Sequence, residues 1–139
     1  MDMTRAVEWA SGRRHAVLIT LRHDGRAQSS DISYALDDDT FLISVTDDRA
    51  KTRNMRRDPR VVLHLTDAAN WSYLSFDGVA ELSSVTTAPG DATSDALVAY
   101  YEQVAGTPHP DWDEYRRAMV DEGRLIVRLR PSSVVGQIN

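Results

Sequence analysis

The amino-acid sequence predicts a mainly β fold, in which antiparallel strands form a small barrel with helices at its flanks. Short segments rich in β-branched residues alternate with turn signals, and three such turn signals occur within about sixty residues. This spacing is typical of strands that follow one another as a meander and close into a barrel. With no repeat, linker or low-complexity tract, residues 1–139 are expected to form one domain with a substantial core.

Composition limits the classes of function. The formal net charge is -5, which argues against general nucleic-acid binding. Cysteine is absent, which excludes disulfides, thiolate metal ligands and cysteine nucleophiles. No apolar run approaches the roughly 20 residues that span a bilayer, and the first residues lack the apolar segment of a secretory signal. A cytoplasmic protein without membrane insertion is therefore expected.

A helix and three strands are expected first along the chain. Residues 4–12 can form a short helix. Residues 15–22 are rich in β-branched side chains, and an Asp-Gly turn joins them to a return strand at residues 27–36. A run of aspartates then turns the chain into a third strand at residues 41–46.

The return strand is unusually polar. Period-two alternation places Gln28, Ser30, Ile32 and Tyr34 on one face, and Asp31 with its neighbouring serines on the other. Such a strand gains little from burial. Two interpretations remain open: a polar lining for a ligand, or a solvated edge strand.

Three further strands are expected after residue 59. Residues 60–66 and 70–82 form the fourth and fifth strands, and Gly78 is expected to produce a bulge or bend in the longer one. Residues 124–135 form a closing strand.

Two helices are expected between the fifth strand and the closing strand. The first follows a loop in which Thr93 or Ser94 is expected to be the N-cap, and Gly106 ends it. The second is expected to have Asp111 as its N-cap and to end at Gly123.

The segment at residues 47–60 carries six of the chain's sixteen basic side chains. Asp47 or Asp48 is expected to cap a short helix at residues 49–57, and Pro59 to end it. The first turn of a helix has unpaired N–H groups and a partial positive charge, so it suits an anion.

The position of each basic residue decides its expected role. Arg49 and Lys51 stand in the first turn, where they can hold an anion together with Thr52 and Asn54, while Arg53 is left undecided. The alternative is a solvated helix face. Three basic residues at the other end of the segment are expected to pair with nearby aspartates: Arg56, Arg57 and Arg60.

Three stretches of sequence carry a family resemblance. They are HDGRAQSSDISYAL, FLISVTDDRAKTRNMRRDPRVVL and NWSYLSFDGVAEL, with an R-x-K-x-x-N-[LM]-x-x-[DN]-P run that leads directly into a strand. Together they resemble the split β-barrel flavin and deazaflavin oxidoreductases, the FMN-binding split barrels of the pyridoxamine-phosphate-oxidase-like superfamily. The similarity continues through ALVAYYEQVAG, DWDEYRRAMV and RLIVRL. It is greatest to the actinobacterial branch that uses the deazaflavin coenzyme F420.

This resemblance implies a homodimeric split β-barrel with two cofactor sites at the subunit interface. Arg49 and Lys51 would hold the cofactor phosphate, with Thr52 helping. The other positions that the resemblance assigns to the cofactor are Gln28, Ser30 and Asp31 at the isoalloxazine-like ring, Thr46 at the entry to the phosphate site, Trp71 and Tyr73 from the partner subunit, and Arg124 at a weaker motif position.

The sequence departs from the family pattern at two places. Asp31 stands where relatives often have asparagine, so a carboxylate that only accepts hydrogen bonds would face the ring. The C-terminal Arg-His motif of pyridoxamine-phosphate oxidases is missing, so oxidation of vitamin B6 is not expected.

The sequence contains no motif for metal binding, for a catalytic nucleophile or for nucleotide binding. The four histidines show no metal-ligand spacing, and no G-x-S-x-G, G-x-G-x-x-G or Walker sequence is present. Neither a metal site nor a catalytic side-chain nucleophile is expected.

The leading hypothesis is an F420-dependent oxidoreductase that transfers a hydride from the reduced deazaflavin to a conjugated small organic substrate, whose identity the sequence leaves open. Two alternatives remain. One is an FMN-dependent oxidase or reductase of the same fold. The other is a non-enzymatic module that binds a cofactor or a tetrapyrrole.

Overall fold

The computed structural model describes residues 1–139 and contains four α-helices and seven strands. The helices are α1 (Met3–Ser11), α2 (Ala50–Arg57), α3 (Ala92–Ala105) and α4 (Trp112–Asp121). The strands are β1 (His15–Leu21), β2 (Ala27–Ser33), β3 (Ala35–Asp37), β4 (Thr40–Thr46), β5 (Arg60–Asp67), β6 (Ser72–Leu82) and β7 (Arg124–Gln137). A short 3-10 turn, Ala68–Asn70, precedes β6.

All seven strands belong to one antiparallel sheet with the order β2-β1-β5-β6-β7-β4-β3. β2 and β3 lie at opposite ends of this order, yet only Tyr34 separates them in the chain. Because one residue spans less than about 4 Å, the sheet must curl until its two edges approach each other at Tyr34. The mainly β split-barrel fold that the sequence predicts is therefore confirmed.

The inside of the curled sheet holds the main hydrophobic core. The ring centroids of Phe41 and Phe76 are 5.0 Å apart, and Tyr34 packs edge-on against Phe41 at 5.1 Å. The Tyr34 hydroxyl donates to the Ala10 carbonyl at 2.6 Å, which fixes α1 across the barrel, and burial raises the pKa of Tyr34. Further buried members of this core include Leu18, Ile43, Val45, Leu63, Leu65, Leu74, Leu125, Val127 and Leu129.

A smaller core lies outside the barrel, where α3 and α4 pack beside β7. Leu97, Tyr115 and Ile126 are its buried members. The Tyr115 hydroxyl donates to the Leu97 carbonyl at 2.8 Å, and burial raises the pKa of Tyr115 to about 12. Asp111 is the N-cap of α4, as expected, and accepts from the Glu114 N–H at 3.1 Å.

The expectation of a simple meander is wrong. β5 pairs with β1, and β7 lies between β6 and β4. The predicted return strand at residues 27–36 is also interrupted at Tyr34, because the residues before it pair with β1 whereas Ala35–Asp37 pair with β4. Long-range pairing, which local sequence patterns do not encode, determines both differences.

The expected N-cap of α3 is also wrong. Asp91 is the N-cap, and its carboxylate accepts from the Ser94 N–H at 2.8 Å. The hydroxyls of Thr93 and Ser94 instead donate to the carbonyls of Ser84 and Pro89. Both side chains are buried, and they tie the start of α3 to the preceding loop.

Glycine is required at two points where β6 and β7 approach closely. The register shift between Asp77 and Gly78 confirms the expected bulge, and a Cβ at Gly78 would lie 2.8 Å from the Arg130 carbonyl oxygen. Gly136 has a φ of +145° and leaves no room for a Cβ beside the Tyr73 carbonyl.

Candidate functional site

The candidate site begins where β4 ends and α2 starts. Arg49 is the N-cap of α2 without a side-chain cap hydrogen bond, so the expected capping by Asp47 or Asp48 is wrong. The Thr46 carbonyl holds this turn: it accepts from the Thr52 hydroxyl at 2.7 Å and from the Arg49 N–H at 3.4 Å. Because the Thr52 hydroxyl is buried and already donates to Thr46, it is not free to donate to a ligand.

Three cationic side chains gather at this corner. Burial lowers the pKa of Lys51, and the nearby positive charges of Arg49 and Arg124 lower it further. Neither Arg49 nor Lys51 forms an ion pair with a carboxylate. Arg124 contacts Glu122 at 3.1 Å through one terminal nitrogen, while its buried Nε has no partner. We call Arg49, Lys51 and Arg124 the cation cluster. Because no carboxylate pairs with Arg49 or Lys51, the cluster keeps a net positive charge, which favours the binding of an anion.

The other basic residues of the segment mostly have partners within the chain. Arg56 pairs with Asp47 at 2.6 Å, and Arg60 pairs with the aspartate two positions before it at 2.7 Å, so both match the expectation of surface ion pairs. Arg53 donates to the Asp48 carbonyl at 2.7 Å. Arg56 and Arg60 therefore add little unpaired charge, while Arg53 fixes the local backbone and keeps its charge without an ion pair.

The expectation that Arg57 pairs with an aspartate is wrong. Its Nη2 donates to the Leu21 carbonyl at 3.0 Å and to Asn54 Oδ1 at 2.9 Å. Asn54 is buried, and its Nδ2 donates to Thr20 Oγ1 at 3.1 Å and to Gln28 Oε1 at 3.3 Å. Asn54 therefore ties α2 to β1 and β2, and no donor of its amide is left for a phosphate.

One face of the polar return strand carries two half-buried polar side chains, and one of them, Gln28, contacts α2. Gln28 and Ser30 are half-buried on the face of β2 that also carries the core residue Ile32. Asp31 is exposed on the opposite face and lies 3.4 Å from the His15 ring. Within one chain, Asp31 therefore does not line the same surface as Gln28 and Ser30. β2 is an edge strand with one exposed face, as one of the two interpretations expects, and the ligand lining on its half-buried face stays a prediction.

The two aromatic candidates do not share a strand face. Trp71 precedes β6 in a left-handed conformation with a φ of 51° and is 81% exposed. Its carbonyl accepts hydrogen bonds from the side chains of Gln137 and Asn139, both at 2.8 Å. Tyr73 lies on the outer face of β6, with its ring 5.8 Å from that of His64. Both aromatic side chains are accessible to another molecule.

Two residues that contact Asn54, Arg57 and Thr20, belong to no motif in the sequence. Arg57 lies three positions after Asn54, so helical spacing places both on one side of α2, which is the only local signal of their contact. Thr20 is an ordinary β-branched strand residue, and only the docking of α2 on β1 brings it to Asn54.

No helix is long and apolar enough to cross a membrane. No group of three or more histidine, cysteine, aspartate or glutamate side chains is placed to hold a metal ion.

Comparison with known proteins gives one family and several similar structures. The model of the family described as pyridoxamine 5'-phosphate oxidase matches residues 4–137. A conserved hypothetical protein from Mycobacterium tuberculosis is 23% identical with a TM-score of 0.77, over 98% of this chain and 84% of that one. A structure described as an F420 reductase is 24% identical with a TM-score of 0.67, over 92% and 94% of the two chains. HutZ, the heme storage protein from Vibrio cholerae, is 16% identical with a TM-score of 0.69, over 97% and 94%. At these identities the likeness to the three structures concerns the fold alone.

Proposed function

The chain belongs to the pyridoxamine 5'-phosphate oxidase family, and on that premise we propose that it is an oxidoreductase that depends on coenzyme F420. The reduced coenzyme supplies a hydride at its deazaflavin ring, and the residues of this chain bind and orient it toward a conjugated small organic substrate. The cation cluster is the observation that carries the proposal, because no carboxylate neutralises Arg49 or Lys51. The similar structure described as an F420 reductase supports the choice of a deazaflavin over a flavin.

The cation cluster fits a phosphate group chemically. Lys51 is half-buried, and its burial together with the nearby charges of Arg49 and Arg124 lowers its pKa in the free protein. A phosphate would reverse this repulsion and form charge-assisted hydrogen bonds with ammonium and guanidinium donors. Arg124 brings a buried Nε without a partner, which is a further donor at this corner. We propose that Arg49, Lys51 and Arg124 hold the phosphate, with Thr46 shaping the turn beneath it.

The polar face of β2 fits the edge of a heteroaromatic ring. Gln28 and Ser30 offer an amide and a hydroxyl on a half-buried surface that a hydrogen bond ties to α2. Since α2 also begins at the cation cluster, one rigid helix connects the proposed phosphate and ring positions. We propose that these two side chains orient the ring and that Asp31 does not contact it from the same subunit.

We propose a homodimer that covers the outer face of the sheet. Tyr73, Val79 and Val135 are exposed apolar side chains on this face. Beside them, a depression of about 320 Å³ lies over β1, β5 and β6, with Ile19 and Val62 in its lining. Apolar area of this kind is unfavourable in water, and a second copy would bury it. Trp71 and Tyr73 would then be available to the cofactor of the partner subunit.

Binding of purified protein to F420, FMN and heme, measured separately by fluorescence or absorbance titration, tests the proposal. Tight F420 binding, followed by oxidation of reduced F420 in the presence of enones or nitroaromatics, is the expected result. Sedimentation should give twice the monomer mass. Tight binding of FMN without binding of F420 would overturn the choice of cofactor.

A non-enzymatic tetrapyrrole-binding module is the second candidate, because the fold is shared with a heme storage protein. Stoichiometric heme binding, with no oxidation of reduced F420 across the substrate panel, would favour it. The Lys51→Ala variant separates the two candidates further, because a phosphate-bearing cofactor depends on the cation cluster more directly than heme does.

A further inference from the structure

A chain of hydrogen bonds connects the last turn of α2 to the polar face of β2. Arg57 is held on β1 by the Leu21 carbonyl and donates to Asn54 Oδ1. Asn54 Nδ2 in turn donates to Gln28 Oε1 at 3.3 Å. This series of hydrogen bonds ends at the Gln28 Nε2 group, which donates to no other group of the protein.

The direction of these hydrogen bonds is fixed by the chemistry of Arg57, the first donor in the series. A guanidinium group only donates hydrogen bonds, so the side of Asn54 that faces Arg57 must be its carbonyl oxygen. The amide nitrogen of Asn54 therefore faces the strands, where Gln28 must present its oxygen to accept. The NH2 group of Gln28 is left to point away from Asn54.

We propose that Arg57 and Asn54 are positioning residues that fix the amide of Gln28, so that the site presents an N–H donor to the ring of the cofactor. A free glutamine could offer either its oxygen or its nitrogen, and would therefore recognise ring edges of both kinds. With the amide fixed, the ring must carry a hydrogen-bond acceptor, such as a carbonyl oxygen, above Gln28. This inference rests on the proposed function, since it concerns the ring end of the same site.

Asn54 has a different role from the anion contact that helical spacing suggests. Asn54 follows Lys51 by three positions, but its side chain is buried and both ends of its amide have partners. It acts through Gln28 and does not touch the ligand. Its effect should therefore appear in recognition of the ring and leave recognition of the phosphate unchanged.

The Asn54→Asp variant tests the direction of the hydrogen bonds from Arg57 through Asn54 to Gln28. A carboxylate still accepts from Arg57, but its second oxygen can no longer donate to Gln28, so the Gln28 amide should turn and present its oxygen to the ring. We expect F420 affinity to fall roughly tenfold to a hundredfold, with a shift of the absorbance band of the bound deazaflavin. Inhibition of F420 binding by inorganic pyrophosphate, which probes the phosphate position, should remain as strong as in the wild type.

A double-mutant cycle distinguishes positioning from a structural effect. In a Gln28→Met background, where no amide is left to orient, Asn54→Asp should cause no further loss of affinity. Ser29→Ala, at the adjacent exposed position of β2, is the matched control and should bind F420 as the wild type does. If Asn54→Asp does not fold, Gln28→Glu decides, because one carboxylate oxygen still accepts from Asn54 while the other faces the ring, and the same loss is expected.

The outcomes separate this inference from the proposed function. If the wild type binds neither F420 nor FMN, the proposed function fails and this inference fails with it. If the wild type binds F420 and Gln28→Glu binds equally well, only the inference is overturned. A loss from Asn54→Asp that is equally large in the wild-type and Gln28→Met backgrounds would likewise overturn it.

Discussion

Replacement of Lys51 by methionine should weaken cofactor binding without destabilising the free protein. Lys51→Met keeps the apolar stem and removes the ammonium group. A charge-assisted hydrogen bond to a phosphate contributes about 1–3 kcal/mol, so F420 affinity should fall by roughly tenfold to a hundredfold.

In the free protein the same replacement should be favourable, because it should increase stability. The pKa of Lys51 is lowered by burial and by the charges of Arg49 and Arg124, so the charged lysine is less favourable in the folded protein than in the unfolded chain. Each like charge near a partly exposed site costs a few tenths of a kcal/mol, so loss of the ammonium should raise the free energy of unfolding by about 0.5–1 kcal/mol. Such opposition between stability and binding is expected of a site that accumulates charge for a ligand.

Isothermal titration calorimetry with F420 and urea unfolding of the ligand-free protein measure the two effects. Arg56→Ala is the matched control, since Arg56 lies on the same helix but pairs with Asp47. It should change F420 affinity little. If Lys51→Met and Arg56→Ala weaken binding equally, the segment acts as a diffuse positive field and the assignment of the cation cluster is wrong. A clear loss of stability in ligand-free Lys51→Met would refute the electrostatic reasoning.

Three further predictions concern the fold that supports the site. Arg57→Ala should lower the free energy of unfolding by about 1–3 kcal/mol in urea denaturation, because it leaves the buried Asn54 oxygen without a donor; a loss below 0.5 kcal/mol, roughly what an exposed ion pair contributes, would contradict this. Gly136→Ala should cost about 3 kcal/mol or more, or prevent folding, because a Cβ would overlap the Tyr73 carbonyl, whereas Gly90→Ala, in open space, should be nearly neutral in the same assay. Hydrogen bonds from the Ser94 and Thr87 N–H groups hold the pKa of Asp91 at about 2, below its unfolded value, so its contribution to stability should be complete above about pH 4 and be lost as the pH falls toward 2. Between about pH 4 and pH 2, the melting temperature of Asp91→Asn should fall less steeply than that of the wild type. An equally steep fall would refute the role of Asp91 as the N-cap of α3.

Local sequence rules predicted the elements of this fold well, because each depends on neighbouring residues. The Asp-Gly hairpin, the bulge at Gly78 and the end of α2 before Pro59 all follow from backbone preferences that act within a few residues. The strand order does not follow from such rules. It depends on pairings between strands that are far apart in the sequence, such as β5 with β1 and β7 with both β6 and β4, and no local pattern specifies those partners.

The same division applies to the site. Arg49 and Lys51 were identified by their position in a helical turn, and Arg124 joined them only because β7 pairs with β4 in a register that long-range packing sets. The functional assignment of these three remains a prediction that binding measurements must test.

Asn54 shows why spacing alone is insufficient to assign a role. Helical periodicity places it near Lys51, and a polar residue there is naturally grouped with the anion site. Burial reverses the inference, since a buried amide must satisfy its donors and acceptor within the protein, and the donor-only guanidinium of Arg57 then determines which end of the amide faces β2. The sequence alone would therefore assign Asn54 to the ligand, whereas in the structure it connects α2 to β2, the strand that would orient the ring. The chemistry of its partner, and not its own position, sets what the site can recognise.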